Sequence, residues 1–142
     1  MKNSDEKKLT IVIGSSRLGA NIANYNSQNG IYTVIIDKNP LAFRKLDSNF
    51  SGYKIEGDAE NLDVLSSANI KDATEVDVLT NNDNVNIYIA NVVLQYFNVP
   101  LVLVRLMDTT KSVFLDSPRI RIISPAILSF RTYKEIITEK EL

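Results

Sequence analysis

The feature that most constrains the fold is a regular alternation of short apolar runs with segments of helical periodicity. Six runs of four to six residues have the β-branched and apolar character of strands: Leu9–Ile13, Ile31–Ile36, Tyr53–Glu56, Glu75–Leu79, Leu101–Val104 and Ile120–Ile123. Such short and largely apolar runs are typical of parallel strands that are covered on both faces of a sheet. The alternation therefore predicts an α/β fold with a doubly wound parallel sheet of about six strands.

The segments between and after these runs have the spacing of amphipathic helices. They are residues 18–25, a helix beginning at Pro40, residues 61–68, residues 85–96 and a helix beginning at Pro125. A chain of 142 residues fits one domain. We expect this domain to span residues 9–142, and we expect the charged first eight residues to be flexible.

Composition excludes several classes of function. The chain has no cysteine and no histidine, so it has no disulfide, no thiolate metal site and no Ser-His-Asp triad. We predict no catalytic and no metal-binding residues. With 16 basic and 17 acidic residues, the net charge of −1 does not favour nucleic acid as a partner. The charged start lacks the apolar run of a signal peptide, and no run approaches the roughly 20 residues of a membrane span, so we expect a cytoplasmic protein.

The first strand leads into a loop that resembles a dinucleotide fingerprint, G-x-G-x-x-G. In the stretch IVIGSSRLGA, Gly14 and Gly19 have the spacing of the first and third glycines, but Ser16 stands at the middle position. The first glycine permits a tight turn and the third permits close packing of the helix on the sheet. The helix beginning near Arg17 directs its amides toward any phosphate. The Ser16 hydroxyl either binds that phosphate or crowds it out, and a turn that binds nothing is the alternative.

An acid at the end of the second strand adds weight to a nucleotide site. Asp37 follows Gly14 by 23 residues, near the spacing at which a carboxylate binds a ribose hydroxyl. A carboxylate there repels a 2′-phosphate, so Asp37 favours NAD or an adenine nucleotide over NADP, although Lys38 weakens this preference. The alternative role of Asp37 is to cap the helix at Pro40, which Asn39 could also do.

Further polar residues follow the third, fourth and fifth strands. Asp58 lies where an adenine would bind or caps the next helix, and Asp83 has the character of an N-cap residue. Thr80 and Asn81 are expected to face the cleft. An arginine at the end of a strand needs a carboxylate or a phosphate, so Arg105 pairs with Asp108 or Asp37, or binds a ligand.

The ordered set of these features resembles the RCK N-terminal domain, also called the TrkA-N domain, of Trk/Ktr-type potassium transport regulators. The set comprises the glycine loop, Asp37, the turn Gly57-Asp58-Ala59, the segment from Thr80 to Asn86 and the pair Val104-Arg105. The resemblance covers residues 8–130. It implies a Rossmann-like domain that binds NAD(H) or ATP/ADP as a regulatory ligand and performs no chemistry.

The resemblance also implies which residues bind the nucleotide and what the domain assembles with. The site residues would be Gly14, Ser15, Ser16, Arg17, Leu18, Gly19, Asp37, Lys38, Asp58, Ala59, Thr80, Asn81 and Arg105. The partners would be a second copy, in a homodimer or larger ring, and a membrane potassium channel or transporter. The protein would then be cytoplasmic and held at the membrane by that transporter.

Two other functions remain open from the residues. One is an assembly module with an empty pocket, which Ser16 favours, and the other is a small NAD-dependent oxidoreductase, which the absence of histidine disfavours. The last helix carries more apolar residues than one face requires, among them Phe130, Tyr133, Ile136 and Ile137. We therefore predict a homodimer built on this helix, with the helix of residues 85–96 alongside.

Overall fold

Six parallel strands form one sheet in the order β3-β2-β1-β4-β5-β6. The computed structural model describes residues 8–140, and the strands β1 to β6 are, in chain order, Leu9–Ile13, Tyr32–Asp37, Tyr53–Glu56, Glu75–Val78, Leu101–Arg105 and Ile120–Ile123. This order confirms the predicted doubly wound parallel sheet. The predicted flexible segment, residues 1–8, lies outside the described residues except for Lys8.

Helices connect the strands as the periodicity predicted. They are α1 Arg17–Gln28, α2 Leu62–Ser67, α3 Asp83–Tyr96 and α4 Pro125–Lys140, with 3₁₀ segments at Pro40–Lys45, Ile70–Asp72 and Thr109–Phe114. None of the helices within residues 8–140 combines the length and the apolar character that crossing a bilayer requires.

The segment at Pro40 corrects one prediction, because it forms a 3₁₀ helix and not an α-helix. The Asn39 side chain accepts a hydrogen bond from the Leu41 amide at 3.0 Å, so Asn39 and not Asp37 caps this segment. At its other end the Leu46 amide bonds to the Phe43 carbonyl, which is the i→i+3 pattern. Such segments are common where a short connection leaves no room for a longer helix.

The chain reverses its direction across the sheet at β1, which is paired with β2 on one side and with β4 on the other. Ile13 lies beside Ile36 in one pair and beside Val78 in the other. The connections that follow β1 and β4 run in opposite directions across the sheet. A doubly wound sheet therefore has a crevice at the carboxyl ends of these two strands.

The two faces of the sheet are covered unequally. Alternate residues of β5, Val102 and Val104, are buried in the core that α3 covers. On the α1 face, Val12, Ala23 and Ile35 form a smaller core, but the β5 residues that face this side are only half-buried: Leu101, Leu103 and Arg105. The α1 face is thus incompletely covered beyond β4.

Asp77 is a buried acid on this less covered face. It lies beside Val12 in the register of β1 and β4, so it shares the α1 face with that core residue. Its exposed fraction is 1%, and its Oδ1 atom has no hydrogen-bond partner among residues 8–140. Burial, and secondarily the negative charge of Glu75, raises the pKa of the Asp77 carboxyl to about 8.

We expect Asp77 to make the protein less stable as the pH rises. Because folding raises the pKa of this carboxyl, the folded protein holds the proton more tightly than the unfolded chain, whose pKa is near 3.8. The free energy of unfolding should therefore fall between about pH 4 and pH 8, by at most about 1.4 kcal/mol per pH unit. Asp77→Asn should remove this slope and exceed wild type in stability at pH 8.5.

Urea unfolding of both proteins at pH 6 and pH 8.5 measures the difference. Equal pH slopes for wild type and Asp77→Asn would show that the Asp77 carboxyl ionises in the folded protein as it does in the unfolded chain.

Candidate functional site

The turn between β1 and α1 depends on both glycines of the loop. Gly14 has a φ of +97°, and a side chain there would also approach the Thr80 amide nitrogen to 2.8 Å. A Cβ atom on Gly19 would collide with the Gly14 carbonyl oxygen. These contacts agree with the roles expected of the first and third fingerprint glycines, a tight turn and close packing of the helix on the strand.

Ser16, at the position of the missing middle glycine, is the N-cap residue of α1. Its backbone is extended and its Oγ atom accepts a hydrogen bond from the Gly19 amide at 3.1 Å. Sequence reasoning weighed phosphate binding against obstruction and did not consider this role. The signal was present, because serine is a preferred N-cap residue and Gly19 is the third residue after it. The Oγ–H group can still act as a donor to a ligand.

Asp37 holds the glycine loop in place through its carboxylate. Oδ2 accepts a hydrogen bond from the Ser15 amide at 2.8 Å, and Oδ1 accepts one from the Asn39 amide at 2.8 Å. Each carboxylate oxygen has a further lone pair. The Asp37 carboxylate can therefore bind a hydroxyl group in the cleft while it keeps both of these contacts.

A cleft of about 620 Å³ lies at the switch point of the sheet, within the range of small-molecule sites. Ten of the thirteen predicted site residues line it: Gly14, Ser15, Ser16, Arg17, Asp37, Lys38, Asp58, Ala59, Thr80 and Asn81. Leu18, Gly19 and Arg105 are not among the residues that line it. The structure thus brings most of the candidate residues together around one cavity.

The loops along the cleft follow the strand order. Asp58 and Glu60 follow β3 at one end, Asp37 and Lys38 follow β2, the glycine loop follows β1, and Thr80 follows β4. An elongated ligand with an adenosine at the β3 end and phosphates at the glycine loop matches this sequence of polar groups. Four larger apolar residues, which we call the apolar floor, also line the cleft: Ile13, Ile36, Val85 and Ile89.

Two residues that were considered as helix caps have other roles. Asn61, and not Asp58, is the N-cap of α2, and the Asp58 Oδ1 atom accepts instead from the Glu60 amide at 2.9 Å. Asn82, and not Asp83, caps α3. In both cases the residue immediately before the helix has the extended backbone that a cap requires, so its side chain reaches the amides of the first turn.

The Asp83 carboxylate joins the loops after β4 and β5. It accepts hydrogen bonds from the amides of Met107 and Asp108, at 2.8 and 2.9 Å. Asp83 is therefore a structural link between neighbouring strands, a role that only the folded chain makes visible.

Arg105 binds the loop after β4 and has neither of the carboxylate partners that were expected. Its Nη2 atom donates to the Thr80 carbonyl at 2.6 Å and to the Asn81 Oδ1 atom at 2.7 Å, so neither Asp108 nor Asp37 is its partner. Asn86 supports the same loop by donating to the carbonyls of Thr80 and Arg105. The predicted contact of Arg105 with a phosphate stays a prediction.

Sequence reasoning missed several residues that line the cleft. Besides the apolar floor they are Asn39, Ala42, Lys45, Gly57, Glu60 and Asn82. Lys45 matters most, because its Nζ atom donates to the Ser15 carbonyl at 3.2 Å. Lys45 lies far from the glycine loop in the sequence, so no sequence pattern predicted this contact. The 3₁₀ segment returns the chain toward the loop and so places Lys45 there.

The sheet order and the cleft at its switch point define a domain of the dinucleotide-binding fold, with a cleft beside the glycine loop. A family model described as the TrkA-N domain matches residues 10–125 of the chain. The protein belongs to the TrkA-N domain family.

The curated relatives are named as Trk system potassium uptake proteins. The chain is 31% identical over 102 residues to the Trk system potassium uptake protein TrkA of Streptomyces coelicolor, covering 72% of this chain and 46% of that protein. It is 28% identical over 132 residues to a TrkA homolog of Pyrococcus horikoshii, covering 92% of this chain and 54% of that protein. The chain therefore spans about half the length of these relatives.

Solved structures share the fold at low sequence identity. The TrkA-N domain of the inner membrane protein ybaL from Escherichia coli has a TM-score of 0.81 at 14% identity, covering 93% of this chain and 98% of that chain. GsuK bound to ADP has a TM-score of 0.73 at 20% identity, covering 96% of this chain and 35% of that chain. The GsuK channel bound to NAD has a TM-score of 0.68 at 12% identity, covering 87% of this chain and 22% of that chain.

The capping role of Ser16 predicts different outcomes for two substitutions. Ser16→Ala removes the acceptor of the Gly19 amide and should lower the free energy of unfolding by about 1 kcal/mol. Ser16→Gly should cost only a few tenths of a kcal/mol, because glycine leaves the amide accessible to water. Urea denaturation of the two variants measures this, and equal costs would contradict the capping role.

Proposed function

We propose that this chain is a nucleotide-binding regulatory domain that controls a potassium channel or transporter. The observation that carries the proposal is the position of Asp37, whose carboxylate lies in a cleft at the switch point and also holds the glycine loop. This arrangement suits a ribose hydroxyl at Asp37 and phosphates at the loop, which are features common to NAD(H), ATP and ADP. The potassium uptake relatives and the ligands of GsuK support the same proposal.

A regulatory role accounts for the chemistry of the cleft better than a catalytic one. The chain contains no histidine or cysteine. The Asp37 carboxylate is bonded to the loop after β1, and the Arg105 guanidinium is bonded to the loop after β4. In this proposal the nucleotide acts through differential binding to two arrangements of the assembly, without reacting. The ligand would thereby change the state of a docked transporter.

The proposed ligand class predicts an order of thermal stabilisation. NAD(H), ATP or ADP should raise the melting temperature, and a ligand present at 100 times its Kd adds about 2.7 kcal/mol to stability. NADP should stabilise much less, because its 2′-phosphate would approach the Asp37 carboxylate.

Asp37→Asn is the matched variant for this experiment, because it removes the charge and keeps one carbonyl oxygen, although it loses one of the two acceptors that the Ser15 and Asn39 amides use. In this variant, the rise in melting temperature with NADP should come closer to the rise with NAD. Equal stabilisation of wild type by NAD and NADP would contradict the ribose role of Asp37. A lack of stabilisation by every adenine nucleotide would favour the assembly module with an empty pocket.

We further propose that the domain forms a homodimer through α4. Apolar side chains of this helix are 39–59% exposed: Ile127, Leu128, Phe130, Tyr133, Ile136 and Ile137. The α1 face of the sheet is also incompletely covered at Leu103 and Ile123. Exposed apolar surface of this extent usually marks a partner surface. A contact between α4 and a second copy would bury both surfaces and couple a nucleotide in one cleft to the angle between subunits.

The dimer proposal predicts a mass of about twice 15.9 kDa by light scattering at micromolar concentration. Phe130→Asp and Ile137→Asp should each give monomers, because a charge in the contact must lose its hydration. Tyr53→Asp, at an exposed aromatic residue of β3, is the control and should leave the mass unchanged. A wild-type protein that is monomeric at this concentration would refute the dimer.

A further inference from the structure

The glycine loop has already committed several of the amides that a phosphate would use. The Gly14 amide donates to the Ile36 carbonyl at 2.8 Å, the Ser15 amide to Asp37 at 2.8 Å, and the Gly19 amide to Ser16 at 3.1 Å. Ser16 also places a Cβ atom where a fingerprint glycine would let the backbone approach a pyrophosphate. The amides of Gly14, Ser15 and Gly19 are therefore not available to a phosphate, and a side-chain donor beside the loop would add to the donors that remain.

Lys45 supplies a cation at this loop. Its Nζ atom lies 3.2 Å from the Ser15 carbonyl oxygen, at the end of the segment Pro40–Lys45, and the residue lines the cleft. A second hydrogen bond joins the same two elements, because the Ser15 hydroxyl donates to the Ala42 carbonyl at 2.8 Å. An ammonium group has three donors, so the bond to Ser15 leaves two for a ligand.

Basic and acidic residues lie at different places along the cleft. Three basic and three acidic residues line it: Arg17, Lys38, Lys45, Asp37, Asp58 and Glu60. Asp58 and Glu60 follow β3 at one end, whereas Arg17 begins α1 and Lys45 contacts the loop before it. Two of the three basic residues, Arg17 and Lys45, thus lie at the glycine loop, where the Asp37 carboxylate offsets one of their charges and the phosphates of a nucleotide would lie.

We propose that Lys45 is a phosphate-binding residue of this cleft. In the absence of ligand its ammonium group stabilises the loop through the Ser15 carbonyl, and on binding it also donates to a phosphate oxygen. Lys45 thereby adds a positive charge to that of Arg17 at the glycine loop. Because Lys45 ends the segment that follows β2, phosphate binding also couples this segment to the glycine loop. The inference rests on the proposed nucleotide site and adds a residue and a phosphate dependence to it.

The test compares ligands that differ in phosphate content. Calorimetry measures the Kd of ADP, adenosine and inorganic pyrophosphate for wild type, Lys45→Ala and Lys45→Gln. In both variants the Kd of ADP and of pyrophosphate should rise about tenfold or more, as expected for a lost bond to a charged group. The Kd of adenosine should not change. Lys71→Ala, which removes an exposed lysine that does not line the cleft, is the control and should bind all three like wild type.

The outcomes separate this inference from the proposed function. If wild type binds ADP and both Lys45 variants bind it equally well, the Lys45 role is refuted and the nucleotide proposal stands. If adenine compounds fail to bind but pyrophosphate binds in a Lys45-dependent manner, the nucleotide proposal fails and the phosphate role stands. If neither ADP nor pyrophosphate binds wild type, both are refuted. If the Lys45 variants lose affinity for adenosine and for ADP to the same extent, Lys45 has a structural role and its binding to phosphate is refuted.

Discussion

The close contact between the start of α1 and the end of β1 is the constraint on which the site depends. Gly19 packs against the carbonyl of Gly14, and a single added methyl group at Gly19 would collide with that oxygen. The contact sets the position of the first turn of α1 above the sheet. It also leaves Ser16 in an extended conformation, in which its hydroxyl caps the helix. The glycines therefore determine the shape of the loop before any ligand is present.

The loop is further held by side chains from neighbouring connections. Asp37 binds the Ser15 amide, Lys45 binds the Ser15 carbonyl, and the Ser15 hydroxyl binds the carbonyl of Ala42. These contacts surround one residue of the loop with partners from the connection after β2. A ligand that binds Asp37 or Lys45 would act on the loop through these same bonds, which suits the proposed regulatory role.

The two faces of the sheet are buried to different extents. The face beneath α2 and α3 contains a continuous apolar core, whereas the face beneath α1 has half-buried residues on β5 and a buried acid at Asp77. A buried carboxyl beside another acid is costly when ionised, so Asp77 favours a protonated state at neutral pH. Coverage of this face by a second copy would bury more apolar surface beside that carboxyl.

The amino-acid sequence by itself determined the fold class and most of the cleft. Periodicity separates strands from helices because buried strands and amphipathic helices distribute apolar residues differently. Parallel strands end at one edge of the sheet, so Gly14, Asp37, Asp58 and Thr80 could be placed at one cleft from their positions after strands alone.

Only the tertiary structure decided which partners these side chains have. Capping positions depend on the backbone angles of individual residues, so Asn61 and Asn82, and not the neighbouring aspartates, proved to be the caps. The bonds of Arg105 to Thr80 and of Lys45 to Ser15 span 25 and 30 residues, and no local pattern encodes them. Long side chains find their partners through the packing of whole elements, and that packing is a property of the folded chain.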